Sequence, residues 1–291
     1  MKLHCIPILS ALFTSLVCFS NPATKISDNS PSSGIVIRWN DCEQTIDGFG
    51  IAQAGWAKEL FAFKNRKQVM DKMFGNDGLR LNILRGEIFP HYWENKEDKD
   101  FNLNDDINIE LCDSDFNNKS DDLLRRGQLW LTLEAKNKYH INKLVFSTWS
   151  APAWMKSNGK VSNGKLKPEC YQDFANYLAA FYKAYKSKGI TPYAISPSNE
   201  PGYAAPWNSS LWTADEMGKF ITSNLGPTFQ KENIPAKIIF GENPLWSVVM
   251  PQLKMVSSKD FTDTILQDYP EIKKFNLIAA GHGYSLSPDI M

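Results

Sequence analysis

Short apolar runs and amphipathic helical stretches take turns along most of the 291 residues, and few folds accept that order. Strand-like runs fall at Thr45–Ile51, Leu79–Leu84, Leu144–Thr148, Tyr193–Ser196, Lys237–Phe240 and Leu277–Ala280. Helical spacing is expected over Phe63–Phe74, Asp121–Tyr139 and Tyr171–Lys186, then from a Thr213 cap to about Phe229, and again in a stretch ending near Tyr269. Glu216, three residues after Thr213, supplies a capping-box partner. Strands alternating with helices imply parallel βαβ units. The runs are rich in Ile, Val, Leu and Phe, as strands buried on both faces should be.

Two parallel architectures compete. A doubly wound nucleotide fold needs a Gly-rich loop opening a helix, and Asp47-Gly48-Phe49-Gly50 lacks both the third Gly and the helix. A (β/α)8 TIM barrel builds its site at the carboxyl ends of the strands. Polar and aromatic residues stand there: Arg80 and Arg85, Trp149-Ser150, Asn199-Glu200, Glu242-Asn243, His282 and Tyr284. The expected fold is therefore α/β, a TIM barrel with about six of its eight βα units.

Composition narrows the partners. Thirty-two basic and 32 acidic side chains cancel, so no field favours nucleic acid or an anionic membrane. Nine Trp and 10 Tyr suit a large core, and equally a cleft in which flat rings stack on sugars. Lys2 followed by the apolar run Ile6–Phe19 reads as a signal peptide over residues 1–20 that implies export to the periplasm or beyond. Cys18 leaves open a lipid anchor. A polar linker, residues 21–33, leads to the domain expected over 34–291. Cys42, Cys112 and Cys170 are widely spaced and allow at most one bridge. The polar stretch Trp93–Asp122 reads as a long loop over the site. Within it Asp113-Ser114-Asp115-Phe116-Asn117 hints at a calcium loop, but Asn118 and Leu124 replace the required Gly and Glu, and no metal is expected.

Asn199-Glu200-Pro201 closes the fourth strand. Cleaving a glycosidic bond requires a carboxylic acid to protonate the bridging oxygen, and a buried strand end can raise a Glu to that task. Asn199 beside it is placed to bond a sugar hydroxyl. Together with Trp149-Ser150-Ala151-Pro152-Ala153-Trp154-Met155-Lys156-Ser157-Asn158-Gly159, with Ser196-Pro197-Ser198 before Asn199, and with Trp207 and Trp212 beyond, the chain from Ile46 to Tyr284 resembles glycoside hydrolase family 30. The particular likeness is to its endo-β-1,6-galactanase-like branch. The resemblance implies a retaining O-glycoside hydrolase of β-linked polysaccharide (β-1,6-galactan, β-1,6-glucan or xylan) with no cofactor and Glu200 as acid/base. It implies that Arg80 holds the nucleophile's carboxylate, that Trp149 lines the subsite of the cleaved sugar, and that His282 and Tyr284 face the cleft. Trp154 and Trp207 are further candidates for sugar contact. Core packing competes for Trp149 and Trp154, an ion pair for Arg80, and a supporting rather than direct role for Glu242.

The family pattern breaks at the end of the chain. The nucleophile is expected on a seventh strand, and only Ser285–Met291 follow Tyr284. The reading is of a C-terminally truncated member, weak or inactive alone, with Gly34–Trp39 deprived of the β-domain it would pair with. A second chain carrying strands seven and eight would complete it; otherwise the cleft binds glycans without cleaving them.

Overall fold

The computed structural model describes residues 44–53, 56–90, 127–247 and 256–284. The chain divides into two units, Met1–Phe49 and Gly50–Met291. In the first, residues 44–49 form neither helix nor strand. The expected signal, linker and Gly34–Trp39 strand lie outside the described residues, as do the 93–122 loop with its calcium-like motif, Cys42 and Cys112.

In the second unit six strands make one sheet: β1 Gly50–Ala52, β2 Ile83–Ile88, β3 Lys143–Thr148, β4 Ala194–Ser196, β5 Lys237–Asn243 and β6 Leu277–Gly281. They pair in sequence order and every pairing is parallel. The helices between them are α1 Ala57–Ala62, α2 Arg66–Phe74, α3 Gly127–Tyr139, α4 Tyr171–Ser187, α5 Ala214–Phe220, α6 Gly226–Lys231 and α7 Ser258–Asp268. Each strand-to-strand connection that carries a helix returns the chain to the same end of the sheet, so all six carboxyl ends lie together. This is a partial TIM barrel. Among the described residues no helix is long and apolar enough to cross a membrane.

Burial follows the strand chemistry. Six of the seven residues of β5 and all three of β4 are buried, whereas β1 and β6, at the ends of the strand order, are more open. The 3–4 spacing of α4 lays Phe174, Tyr177, Leu178, Phe181 and Tyr185 against the sheet. Phe146 of β3 meets Phe181 and Tyr185 edge-on at 5.1 and 4.9 Å. The buried Tyr185 hydroxyl accepts from Gln128 Nε2 at 2.9 Å, so the ring is buried without orphaning its polar tip.

Two expectations shift in register. The second strand begins at Ile83, not Leu79, because Leu79 and Leu81 donate their N–H groups back to Lys72 and Met73 and are spent on the turn out of α2. The helix expected from Phe63 starts at Arg66, with a separate α1 before it. Thr213 and Glu216 form the expected reciprocal cap. The helix they start widens into a π turn over Ile221–Leu225, where the Gly226 N–H bonds Ile221 five residues back. Pro227 follows, and its missing N–H removes one rung of ordinary α register.

Candidate active site

Residues of β2, β3, β4 and β5 and the segments just past β4 and β6 converge on a chain of charges. Arg85, in β2, donates from Nη2 to Glu242 Oε1 at 2.6 Å and to Asn199 Oδ1 at 2.6 Å. Glu242, in β5, also accepts from Ser147 Oγ at 3.0 Å and from Ser196 Oγ. His282, just past β6, has Nδ1 2.8 Å from Glu200 Oε1 and Nε2 3.5 Å from Glu242 Oε1. Glu200 and Glu242 are 7% and 4% exposed.

Backbone geometry aims these groups. Glu200 and Glu242 both hold positive φ, +48° and +41°. Such angles are costly for residues with a Cβ, and the surrounding bonds hold them. The Glu200 N–H donates to Glu242 O at 3.0 Å, and its carbonyl accepts from Tyr203 N. Ahead of Glu242, Gly241 sits at φ +93° in the irregularity of the β5–β6 pairing, and a Cβ there would lie 2.7 Å from Ala280 O. Only glycine fits, and the bulge turns Glu242 inward. Asn243 O accepts from His282 N at 2.8 Å, which turns the segment after β6 toward the same spot.

The electrostatics follow from burial and neighbours. Burial alone would raise the Glu242 pKa, but the Arg85 charge, with His282 and Ser196, overrides it and brings it to about 2. Burial alone would lower that of His282; its bonds to Glu200 and Glu242 lift it instead to about 9. At neutral pH the imidazole therefore carries two protons, with Nδ1 hydrogen-bonded to Glu200 and the ring charge paired with the Glu242 carboxylate 3.5 Å from Nε2. No three His, Cys, Asp or Glu side chains among the described residues are arranged as a metal site.

Each expected residue can now be placed. Glu200, Asn199, His282 and Glu242 come together. Asn199 has its side-chain oxygen taken by Arg85, leaving its NH2 for other partners. Trp149 is half-buried directly after β3, and the Asn199 N–H bonds Thr148 O at 2.7 Å, so it neighbours the Glu200 loop. Tyr284 is 61% exposed and meets the His282 ring edge-on at 5.4 Å. Trp207 is 51% exposed, against Tyr203. Trp154 packs half-buried on the core, and Trp212 is buried among Tyr171, Phe174 and Phe220. Arg80 must be corrected. It stands exposed in the α2–β2 turn at φ +54°, at the opposite end of the strand, because β2 begins three residues after it. The arginine of the site is Arg85. A strand start at Leu79, four residues before Ile83, selects Arg80, whereas the apolar run Ile83–Leu84 with Gly86 and Ile88 marks the true strand and its Arg85.

A buried carboxyl cluster with aromatic neighbours, near the carboxyl ends of a parallel barrel sheet, has the layout of a barrel-type candidate active site. Residues 46–269 match the Glycosyl hydrolase family 30 TIM-barrel domain, and the chain belongs to that family of glycoside hydrolases. It is 28% identical over 237 residues to an endo-1,6-β-D-glucanase of Neurospora crassa, covering 75% of this chain and 45% of the relative. It is 30% identical over 200 residues to a Caenorhabditis elegans protein provisionally named a glucosylceramidase, covering 65% of this chain and 37% of the relative. A solved endo-β1,6-glucanase shares the fold with a TM-score of 0.65 at 24% identity, over 84% of this chain and 54% of the other. The chain thus spans less than half the length of these two curated relatives.

Proposed function

We propose that the chain carries the acid/base half of a retaining glycosidase site for β-linked polysaccharide, with Glu200 protonating the leaving sugar oxygen. One observation carries this: the buried Glu200 carboxyl, just past β4, lies among the strand ends with its Oε1 hydrogen-bonded at 2.8 Å to His282 Nδ1. His282 thus fixes the orientation of the carboxyl that must pass its proton to the leaving oxygen. Asn199, with its NH2 uncommitted to Arg85, bonds a sugar hydroxyl, and Trp149, Trp207 and Tyr284 offer ring faces. The likeness to an endo-1,6-β-D-glucanase over most of the chain makes β-1,6-glucan the first substrate to test, with β-1,6-galactan and xylan beside it. Lys2 and the run to Phe19 are read as an export signal, testable by mass spectrometry of the mature N-terminus.

A retaining mechanism needs a second carboxyl about 5–5.5 Å from the first. Glu242 is unsuited: its oxygens are occupied by Arg85, Ser147 and Ser196. The nucleophile is assigned outside the described residues or to a second chain. If neither supplies it, the commitment of Glu242 favours glycan binding without cleavage, seen as uptake of β-1,6-linked glucotetraose with no turnover. For the catalytic reading, Glu200→Gln should cut polysaccharide hydrolysis by about 10²–10⁴ while sparing aryl glucosides whose leaving groups need no proton. Equal loss on both substrates, or none, overturns the assignment.

A further inference from the structure

Lys156 is 1% exposed, and lysine is almost never buried so deeply without a partner of opposite charge. Among the described residues it has no ion pair. Its three N–H bonds instead go to Ser150 Oγ at 3.1 Å, Val161 O at 3.2 Å and Ser209 O. Burial pulls its pKa down to about 8, which leaves it charged at neutral pH. A methionine would fill the same volume without desolvating a charge, so the ammonium must supply something packing does not.

What it supplies is connection. Ser150 follows Trp149, Ser209 lies two residues past Trp207, and Val161 belongs to the excursion between β3 and α4. Val161 O accepts from Ser209 N at 3.0 Å as well as from the ammonium. Around this node the two loops are laced together: Ser162 bridges Asn208, Asn163 N bonds Ser209 Oγ at 2.9 Å, and Leu211 N bonds Gly164 O at 2.8 Å. Glu200 itself lies in the loop after β4, four residues past Ser196.

We propose that Lys156 is a positioning residue whose ammonium staples the loop after β3 to the loop after β4, holding Trp149 and Trp207 in place beside Glu200 for the sugar. The inference rests on the reading of these loops as a sugar-binding face, and the test separates the two. Lys156→Met keeps the stem and deletes the ammonium. In the full chain, amide exchange over residues 157–165 and 205–211 should quicken on the order of tenfold, while β3 and β4 stay unchanged. Affinity for β-1,6-linked glucotetraose, measured by calorimetry, should fall on the order of tenfold. Unchanged exchange in the two loops, or exchange raised equally across the sheet, overturns the staple. Localised exchange in a chain whose wild type binds no glucotetraose upholds the staple and refutes the sugar face. If K156M does not fold, 15N-lysine NMR of the wild type decides: a slowly exchanging ammonium resonance from Lys156 supports the staple, and its absence overturns it.

Discussion

Raising the pH from 6.5 to 8 should destabilise the folded chain chiefly through His282. Its pKa stands at about 9 against an ordinary 6.5, because its bonds to Glu200 and Glu242 outweigh its burial. A group whose pKa is raised by folding contributes fully below the unfolded value, and that contribution disappears as the pH climbs through the folded one. The difference corresponds to about 3 kcal/mol at 1.36 kcal/mol per pKa unit. Linkage assigns about 1.5 kcal/mol of that loss to the interval between pH 6.5 and 8. For a chain of this size the His282 share should lower the midpoint of thermal unfolding by about 3–6 °C. The window closes at 8 because Lys156, held at about 8 by burial, acts with the opposite sign, offsetting about 0.4 kcal/mol within the window and more above it. Glu242, at about 2, is ionised in both states throughout. Circular-dichroism melts of the wild type and His282→Gln at the two pH values provide the assay. The variant should lose the extra slope; if it keeps the wild-type slope, the protonated His282 bridge is refuted.

Three further outcomes follow from the same geometry. Arg85→Met strands the buried Glu242 charge and should lower the urea-unfolding free energy by about 3–5 kcal/mol, whereas Arg80→Met should change it by less than about 0.5 kcal/mol. Gly241→Ala forces a Cβ at φ +93° against Ala280 O and should cost about 1–3 kcal/mol in the same titration. Trp207→Ala, removing a half-exposed ring, should leave the melting midpoint unchanged but weaken β-1,6-linked glucotetraose binding by about 1 kcal/mol in calorimetry.

Much of the architecture could be read from the chain. Alternating periods of 2 and 3.6, a Thr213–Glu216 cap and short Ile- and Val-rich runs depend on local spacing, and local spacing is what a sequence records. The Asn199-Glu200-Pro201 motif was legible for the same reason. Register was not: the hydrogen bonds of Leu79 and Leu81 back to α2 are tertiary facts, and they moved the strand start from Leu79 to Ile83 and the site arginine from Arg80 to Arg85. Nor could spacing reveal that Glu242, 42 residues beyond Glu200, shares one imidazole with it. Both carboxyls are buried, and the partners from other strands, Arg85, Ser147 and Ser196, saturate Glu242 while Glu200 meets His282; which partners arrive is a property of the assembled sheet. The chain alone determined which residue types could do acid/base chemistry. Only the convergence of five strands decided which of them meet, because partners so far apart in sequence become neighbours when parallel strands pair side by side.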